Sequence, residues 1–329
     1  DQQIIDQITQ PILDETGVHL LDVDMGADFN RTVVTMVGEP EQVLKTVVEC
    51  TRIATRIIDM SKHTGEHARM GAVDVVPFIP ISGISMEQCV NLSKRYAESV
   101  SHELDLPIYL YAEAATNPNR VSLPNIRRGE YEGFEEKISD PDWAPDFGPS
   151  SFNSRMGVTA TGARQILIAY NLNLDSDDKA KANTIASSIR TSGSLVKDEQ
   201  GQKIIGEDGK PLRKPGLFKS LQAAGWMYDE STAQVSMNLL DFSVTGLHDV
   251  TEAIRKEASI IGLNVTAGEL VGLVPLEAML SAGRFYIDDD SIVDEKAIVQ
   301  KAISGLMLGM LDDFEPESSI IEWAIQKVV

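Results

Sequence analysis

The sequence predicts an α/β protein (α+β) made of two similar layered sandwich domains, with mixed β-sheets and helices packed on the outer faces. Segments with apolar residues at helical spacing alternate with short runs of β-branched and aromatic residues. The 329 residues exceed the usual size of one domain, and 43% hydrophobic with 24% charged residues is typical of a globular chain with a sizeable core. We expect a first domain over residues 1–165 and a second over 166–329.

The first domain is predicted to alternate helices and strands. The predicted elements are a helix at 2–15, strands at 18–23 and 33–37, a helix at 41–58, a strand within 72–79, a helix at 86–104 and a strand at 107–111. Pro40 near the first turn of the second helix and Ser85 before the third are typical residues at helix starts. The alternation does not say which strands are parallel.

The middle and second half of the chain are less regular. Five prolines between residues 113 and 153 exclude long regular elements, and residues 157–164 by themselves look like a loop between domains. The elements predicted after them are a strand at 165–172, a helix at 177–191, an extra hairpin at about 194–219, strands at 222–228 and 232–240, a helix at 246–261, a strand at 271–274 and a helix at about 275–282.

The charge and cysteine content exclude some classes of protein. A net charge of −21 opposes nucleic acid or an anionic membrane as the main partner, because both require clustered Lys and Arg. No apolar run approaches the roughly 20 residues that span a membrane. Cys50 and Cys89 both lie in predicted helices, which indicates reduced, packed thiols in a cytosolic protein. A disulfide between them stays open.

A charged loop between a predicted helix and a predicted strand contains two of the five histidines, His63 and His67. Binding and catalytic groups often lie on such loops. Residues 63–67 (HTGEH) have the H-x-x-E-H spacing of one class of zinc peptidases. That site requires a continuous helix, in which Gly65 would cost about 1 kcal/mol relative to Ala. A zinc site and a solvated charged loop are both open interpretations of the spacing.

The longer segment IDMSKHTGEHARMGAVDVVPFIP, residues 58–80, resembles the signature of the glutamate formiminotransferases, which are folate-dependent enzymes of histidine breakdown. The family has a catalytic histidine in its G-E-H-x-R-M-G portion, which is His67 here. The resemblance implies that His67 is the catalytic proton shuttle. Asp24, which resembles a family position near the site, would orient the imidazole and hold its tautomer. The alternative for Asp24 is a strand-end carboxylate that caps the next turn.

A second pattern of this family, R-x-x-L-P-x-I-R-x-G-E-x-E, begins at Arg120. The resemblance implies a site that binds the carboxylates of an anionic substrate, since the planar guanidinium of Arg can donate two hydrogen bonds to one carboxylate. With the residues that resemble family positions near His67, the expected substrate-binding residues are Arg31, Glu66, Arg69, Arg120 and Arg127. The alternative for the arginines of this pattern is structural pairing with one of the chain's many acids.

Residues 143–164 (WAPDFGPSSFNSRMGVTATGAR) are similar to a family segment that contributes to folate binding. Small residues let a backbone approach a flat pterin ring, and a nearby aromatic side chain can stack on it. The resemblance implies tetrahydrofolate as co-substrate in a cleft between the domains, with no metal. The folate-binding residues expected are Gly148, Pro149, Ser150, Ser151, Phe152, Gly157, Thr161, Gly162, Lys181 and Arg190.

The function implied is transfer of the formimino group of N-formimino-L-glutamate to N5 of tetrahydrofolate, by a cytoplasmic homodimer that binds neither nucleic acid nor membrane. Histidine suits the proton transfers because its ordinary pKa of about 6.5 lies near working pH. Formyl transfer between 5-formyl-tetrahydrofolate and glutamate and a non-catalytic folate-binding protein are the alternatives. Relatives usually begin with a strand and loop resembling V-x-C-V-P-N-F-S-E-G, which would precede Asp1. We expect a monofunctional transferase without a cyclodeaminase domain.

Overall fold

The sheets and helices of the chain fall into two units. In the computed structural model, which describes residues 1–26, 30–65, 67–206, 209–287, 293–311 and 313–328, the first unit runs from Asp1 to Gln165 and the second from Ile166 to Val328. Each unit combines β-sheets with helices, and the predicted α/β class is confirmed. Parallel and antiparallel pairing occur in different sheets of the described residues.

The first unit begins with alternating helices and strands, close to the predicted bounds. Its elements are α1 (Gln2–Asp14), β1 (Val18–Gly26), β2 (Arg31–Gly38), α2 (Pro40–Ile57), β3 (Val75–Phe78), α3 (Met86–Leu104), β4 (Ile108–Ala112), α4 (Leu123–Arg127), α5 (Glu130–Ile138) and β5 (Thr159–Ala163). The sheet β3-β5-β4 is parallel, whereas β1 and β2 form an antiparallel hairpin. At the start of α3, Ser85 and Gln88 form a reciprocal capping box. Cys50 and Cys89 are buried free thiols, as predicted.

Strand β5 corrects the prediction that residues 157–164 form only a loop. Its five residues are buried at the centre of the parallel sheet, so they show no polar alternation in the sequence. The hydroxyl of Thr161 donates to the carbonyl of Val76 at 2.8 Å, inside the sheet. A Cβ at Gly162 would overlap the carbonyl oxygen of Tyr111. Glycine is therefore required here for the close packing of neighbouring strands.

The β1–β2 hairpin has two different faces. Val34 and Met36 pack with Ile12 of α1 in an apolar layer. The strand register shifts between Leu20 and Asp22, which is the signature of a β-bulge. After the bulge, Asp22 lies opposite Thr35, Asp24 opposite Val33 and Gly26 opposite Arg31. Paired residues share a face of a sheet, so the bulge turns both aspartates away from the apolar layer, onto the face that carries Arg31.

The second unit is built around one antiparallel sheet of four strands in the order β11-β6-β10-β9. Its elements are β6 (Ile168–Leu174), α6 (Lys179–Ile189), β7 (Ser194–Leu195), β8 (Arg213–Lys214), β9 (Leu221–Met227), β10 (Ala233–Leu239), α7 (Leu247–Ile260), β11 (Val265–Val271), α8 (Leu276–Phe285), α9 (Glu295–Gly305), α10 (Pro316–Ser319) and α11 (Ile321–Val328). β7 and β8 pair as two arms of the predicted extra hairpin. The strand predicted at 271–274 lies earlier, at β11. None of the described helices is long and apolar enough to cross a membrane.

Candidate active site

The loop that contains His63 and His67 is not helical. A single 3₁₀ turn, Met60–Lys62, precedes it, and residues 63–65 and 67–70 have no regular structure. The continuous helix that a zinc-peptidase site requires is therefore not formed. Within the described chain, no group of three or more His, Cys, Asp or Glu side chains is arranged to hold a metal ion. Glu66, expected to bind substrate, lies outside the described residues.

The His63–His67 loop is tied to the far end of the β1–β2 hairpin. The side-chain amide of Asn30 donates to the carbonyl of Thr64 at 2.7 Å, and Nε2 of His63 lies 2.9 Å from the carbonyl of Asn30. Asn30 has φ of 47°, which Asn tolerates better than most residues. These two contacts bring Arg31, the next residue, beside the loop.

His67 is half-buried and contacts Arg31. Nη1 of Arg31 lies 3.0 Å from Nε2 of His67. Because a guanidinium can only donate, Nε2 accepts this hydrogen bond and carries no proton. Burial lowers the pKa of His67 below its usual value of 6.5, and the charges of Arg31 and Arg127 lower it further. A backbone hydrogen bond with Ala68 and the charge of Asp74 oppose this shift. Burial and both cations therefore favour the neutral imidazole, in which Nε2 accepts from Arg31.

Asp74 connects the chain after His67 to Arg127. Its Oδ1 accepts a hydrogen bond from the backbone N–H of Met70 at 2.8 Å. Its Oδ2 forms an ion pair with Nη2 of Arg127, and about a fifth of each side chain is exposed. The sequence reasoning did not select Asp74. The signal available was its position directly before β3, within the family-like segment 58–80.

Asp24 and Arg69, both predicted site residues, have different surroundings. Asp24 shares a face of the hairpin with Arg31, whose guanidinium contacts Nε2 of His67. The orienting role of Asp24 stays a prediction. Burial and the charge of Asp24 raise the pKa of Asp22, a second carboxyl that the sequence reasoning missed. Arg69 donates to both carboxylate oxygens of Glu132, at 2.9 and 2.5 Å. Its guanidinium is thus already held by an acid.

Arg120 is buried and paired with an acid of its own unit. Its side chain is 7% exposed and Nη1 donates to Oδ2 of Asp146 at 2.7 Å, while Nη2 donates to the carbonyl of Ala144, also at 2.7 Å. The guanidinium also lies 5.2 Å from the ring centroid of Tyr109. Both terminal nitrogens of Arg120 are thus held inside the unit, whereas its buried Nε has no hydrogen-bond partner among the described residues. These contacts favour the structural alternative, and substrate binding by Arg120 stays a prediction.

The segment expected to bind folate is joined to the histidine loop by backbone contacts. The N–H of Ala72 donates to the carbonyl of Met156 at 2.9 Å. The N–H of Val158 donates to the carbonyl of Met70 at 3.1 Å. Gly71 and Gly157 face each other between these bonds. A Cβ on either glycine would overlap backbone atoms of the other segment, and Gly157 has φ of +71°. We call this contact the glycine seam.

A cavity of about 540 Å³ adjoins the same segment. Its lining residues are Asp105, Pro149, Ser151, Phe152, Asn153 and Ser154. The ring of Phe152 packs against Tyr131, with centroids 5.3 Å apart, and the Tyr131 hydroxyl donates to the carbonyl of Ser154. Three of the residues expected to bind folate therefore line one cavity. Gly148 and Ser150 flank it in sequence and are exposed, whereas Thr161 and Gly162 are buried in β5.

A larger cavity of about 990 Å³ lies between α1, α2 and α3. No predicted site residue lines it. Three of its cations are already paired with acids: Lys45 with Glu15, Arg52 with Glu49 and Arg95 with Glu41. Its larger volume therefore does not make it the better candidate for a ligand site. The smaller cavity beside Phe152 is the stronger candidate, because three residues expected to bind folate line it.

Comparison with known proteins accounts for both units. The family described as "Formiminotransferase domain, N-terminal subdomain" matches residues 1–164, and "Formiminotransferase domain" matches residues 169–326. The chain belongs to the formiminotransferase family. The glutamate formimidoyltransferase of Streptococcus pyogenes serotype M1 is 38% identical over 306 residues, covering 93% of this chain and 95% of that protein. The glutamate formimidoyltransferase of Thermoplasma acidophilum is 35% identical over 303 residues, which cover 90% of this chain and 93% of that protein.

Longer relatives in the formiminotransferase family have a second activity in their names. The formimidoyltransferase-cyclodeaminase of Mus musculus is 46% identical over 328 residues, which is 99% of this chain and 58% of that protein. The formimidoyltransferase-cyclodeaminase of Rattus norvegicus is also 46% identical over 328 residues, again 99% of this chain and 58% of that protein. The chain thus spans somewhat more than half the length of these relatives.

The second unit of this formiminotransferase chain contains the two remaining residues expected to bind folate. Lys181 is exposed on α6. Arg190, which caps the end of α6, donates to the carbonyls of Gly193 and Ala223 at 3.0 and 3.1 Å. Arg213 donates to the carbonyl of Gly193 as well, at 3.1 Å. Burial and the neighbouring charge of Arg213 lower the pKa of Arg190. This end of α6 is therefore locally cationic in a strongly acidic chain.

Proposed function

We propose that this chain transfers the formimino group of N-formimino-L-glutamate to N5 of tetrahydrofolate, giving 5-formimino-tetrahydrofolate and glutamate. The observation that carries the proposal is His67, a half-buried imidazole with an unprotonated Nε2 between Arg31 and the Arg127–Asp74 pair. The two prokaryotic relatives that the chain covers almost completely are named glutamate formimidoyltransferase, which supports this reaction.

His67 would move one proton between two nitrogens. N5 of tetrahydrofolate attacks the amidine carbon, and a tetrahedral adduct forms as the C–N bond to N5 is made. His67 takes the proton from N5 and returns it to the glutamate nitrogen, whose bond to carbon then breaks. A base whose pKa lies below its usual value of 6.5 is in the accepting form at neutral pH. Arg31 and Arg127 would bind the donor's carboxylates, and Asp24 would stay a positioning residue on the Arg31 face.

The folate would lie along the segment that the glycine seam holds against the histidine loop. Pro149, Ser151 and Phe152 line the cavity of about 540 Å³ there, and the exposed Gly148 and Ser150 would offer backbone groups. Phe152, supported by Tyr131, would stack on the flat pterin ring. Gly157 supports this arrangement through the seam. Lys181 and Arg190, in the second unit, stay proposed folate-binding cations on the family resemblance alone. Thr161 and Gly162 would act only through the packing of β5.

Turnover by wild-type protein and by His67→Ala tests the proposal. The full chain is mixed with tetrahydrofolate and N-formimino-L-glutamate, and 5-formimino-tetrahydrofolate and free glutamate are followed together. We expect His67→Ala to lose about 10²–10⁴-fold in kcat, the usual contribution of a general acid–base group, while it still binds tetrahydrofolate. His102→Ala is the matched control, because His102 is exposed in the last turn of α3 and is not a predicted site residue. Full turnover by His67→Ala would rule out the shuttle.

Parallel assays separate the alternatives to this reaction. Activity only with 5-formyl-tetrahydrofolate and glutamate would replace the formimino group by a formyl group. Folate binding without turnover in wild-type protein would indicate a binding protein. We also infer a cytoplasmic homodimer from the family resemblance, and light scattering of the purified chain together with cell fractionation would test both parts.

A further inference from the structure

A single lysine, Lys137, binds the end of the short helix that carries Arg127. Lys137 lies in the last turn of α5, and its Nζ donates to the carbonyls of Asn125, Ile126 and Arg128, at 2.9, 2.5 and 3.0 Å. An ammonium has three N–H donors, so each of them has one acceptor here. The carbonyls of Ile126 and Arg128 directly flank Arg127 in the sequence. The backbone on both sides of Arg127 is therefore bound to one side chain.

Helix α4 needs such a partner because it has only five residues. The last carbonyls of a helix have no partner within it, and helices this short are not stable by themselves in water. Ile126 is buried in the same core cluster as Phe134 of α5, which anchors one face of α4. Lys137 binds the carbonyls at the end of α4, a common role of lysine near a helix C-terminus. Together the two contacts fix the position from which Arg127 extends.

Two aromatic rings also lie close to the ammonium of Lys137. Its Nζ is 4.0 Å from the ring centroid of Trp143 and 5.1 Å from that of Phe134, distances at which a cation is attracted to a ring. Burial, with smaller contributions from the charges of Arg128 and Arg120, lowers the pKa of Lys137 to about 8. The ammonium form, which three accepting carbonyls require, therefore still prevails at pH 7.

Arg127 is the residue that this arrangement places beside the candidate active site. Its Nη2 forms the ion pair with Asp74, and its charge lowers the pKa of His67. Nη1 of Arg127 makes no hydrogen bond within the described part of the chain. A donor of the guanidinium therefore remains for the carboxylate of a ligand.

We propose that Lys137 is a positioning residue, which fixes the backbone of Arg127 so that its guanidinium can bind a carboxylate of the formimino donor. The inference rests on the proposed function, in which Arg127 binds that carboxylate. Asp74 holds the guanidinium at its tip, and Lys137 holds the backbone from which it extends. The side chain of Arg127 is thus fixed at both ends before the donor arrives. Without Lys137, the charge of Arg127 is retained but its position is not.

The kinetics of the full chain carrying Lys137→Met test the proposal. Met retains most of the length of Lys but leaves the three carbonyls without their donor. We expect KM for N-formimino-L-glutamate to rise about tenfold, the scale of one charge-assisted hydrogen bond, with kcat nearly unchanged. Lys137→Arg, which keeps the charge and several donors, should restore much of the affinity. Lys94→Met should behave as wild type, because Lys94 is exposed on α3 and makes no hydrogen bond or ion pair within the described residues.

A double-mutant cycle separates positioning from a general loss of structure. Arg127→Gln should raise KM at least as much as Lys137→Met, and adding Lys137→Met to Arg127→Gln should raise KM no further. A general loss of structure would raise KM in both backgrounds.

The pKa of His67 gives a second readout that involves no turnover. NMR of the chain labelled with ¹³C at histidine Cε1 measures this pKa without substrate, and His67→Gln assigns the resonance. The pKa should rise by about half a pH unit in Lys137→Met, toward its value in Arg127→Gln, because a positive charge that moves away from the ring lowers its pKa less.

Two results would overturn the inference. One is a folded Lys137→Met variant in which neither KM nor the pKa of His67 changes. The other is an equal effect of Lys137→Met in the wild-type and Arg127→Gln backgrounds, which would show that Lys137 acts without Arg127. If Lys137→Met does not fold, Lys137→Gln, which keeps two N–H donors, takes its place in the cycle. If the wild-type chain transfers no formimino group, the proposed function fails, and the pKa comparison still decides whether Lys137 positions Arg127.

Discussion

Arg120 and His67 show at the scale of single residues how partners decide the role of a side chain. Both lie in segments that resemble a family pattern, and the sequence predicts both as site residues. The partner of Arg120, Asp146, lies 26 residues further along the chain, whereas Arg31 and His67 are 36 residues apart. Arg127 and Asp74 are separated by 53 residues. Residue types and motif positions were predictable, but these pairings depend on how loops pack, which spacing does not encode.

Arg120→Met should destabilise the first unit strongly. It leaves the carboxylate of Asp146, 9% exposed, without its cation, and breaking a buried ion pair typically costs about 3–5 kcal/mol in the free energy of unfolding. Urea denaturation followed by circular dichroism measures the loss. Arg95→Met is the matched control, because its partner Glu41 is exposed and exposed ion pairs contribute little to stability. A stable Arg120→Met with a raised KM for the donor would support the substrate-binding role.

The glycine seam makes a prediction at the scale of elements. Gly157→Ala introduces a Cβ that overlaps the carbonyl oxygen of Met70, at a backbone φ of +71°. Gly201→Ala imposes a similar φ of +78° with nothing within 4 Å of the new Cβ, which makes it the matched control. We expect both variants to lose about 1–2 kcal/mol in the free energy of unfolding, because alanine is strained in the left-handed backbone conformation. Gly157→Ala should lose about 1–3 kcal/mol more, because its Cβ overpacks the seam.

Thermal unfolding and tetrahydrofolate binding measure the effect of the two glycine variants. Gly157→Ala should also bind tetrahydrofolate more weakly than Gly201→Ala, because the seam holds the folate segment against the histidine loop. Equal losses of stability and unchanged folate affinity in both variants would mean that the seam tolerates a methyl group and does not shape the site.

The elements that the sequence predicted well are those with a periodic apolar face. Helices α1, α2 and α3 fall within one residue of prediction, and their start signals, Pro40 and Ser85, are local. Strand β5 was missed because TATGA is small, fully buried and without alternation. Strand β11 was displaced in the prediction, since Gly268 within it packs against the carbonyl of Leu306, a distant contact. Helices α9, α10 and α11 were not predicted at all.

At the scale of the whole molecule, the net charge of −21 should oppose the folded state through self-repulsion. Raising NaCl from about 10 to about 150 mM shortens the Debye length from about 30 to about 8 Å. We expect Tm to rise over this range, as measured by scanning calorimetry at pH 7. A neutral solute at the same osmolality is the control and should give a smaller increase. A Tm that falls with salt would mean that local ion pairs, such as those of Arg69 and Arg127, outweigh the overall repulsion.

The glycine seam also has a consequence during synthesis. The histidine loop is held by residues 156–158, which follow His67 by about ninety positions. A ribosome adds roughly 5–20 residues per second, so the loop waits about 5–20 seconds for the segment that fastens it. Strand β5, the central strand of the parallel sheet, is synthesised directly after this segment. The histidine loop of the nascent chain should therefore stay unfastened and open to proteases until the strand that completes the first unit has left the exit tunnel.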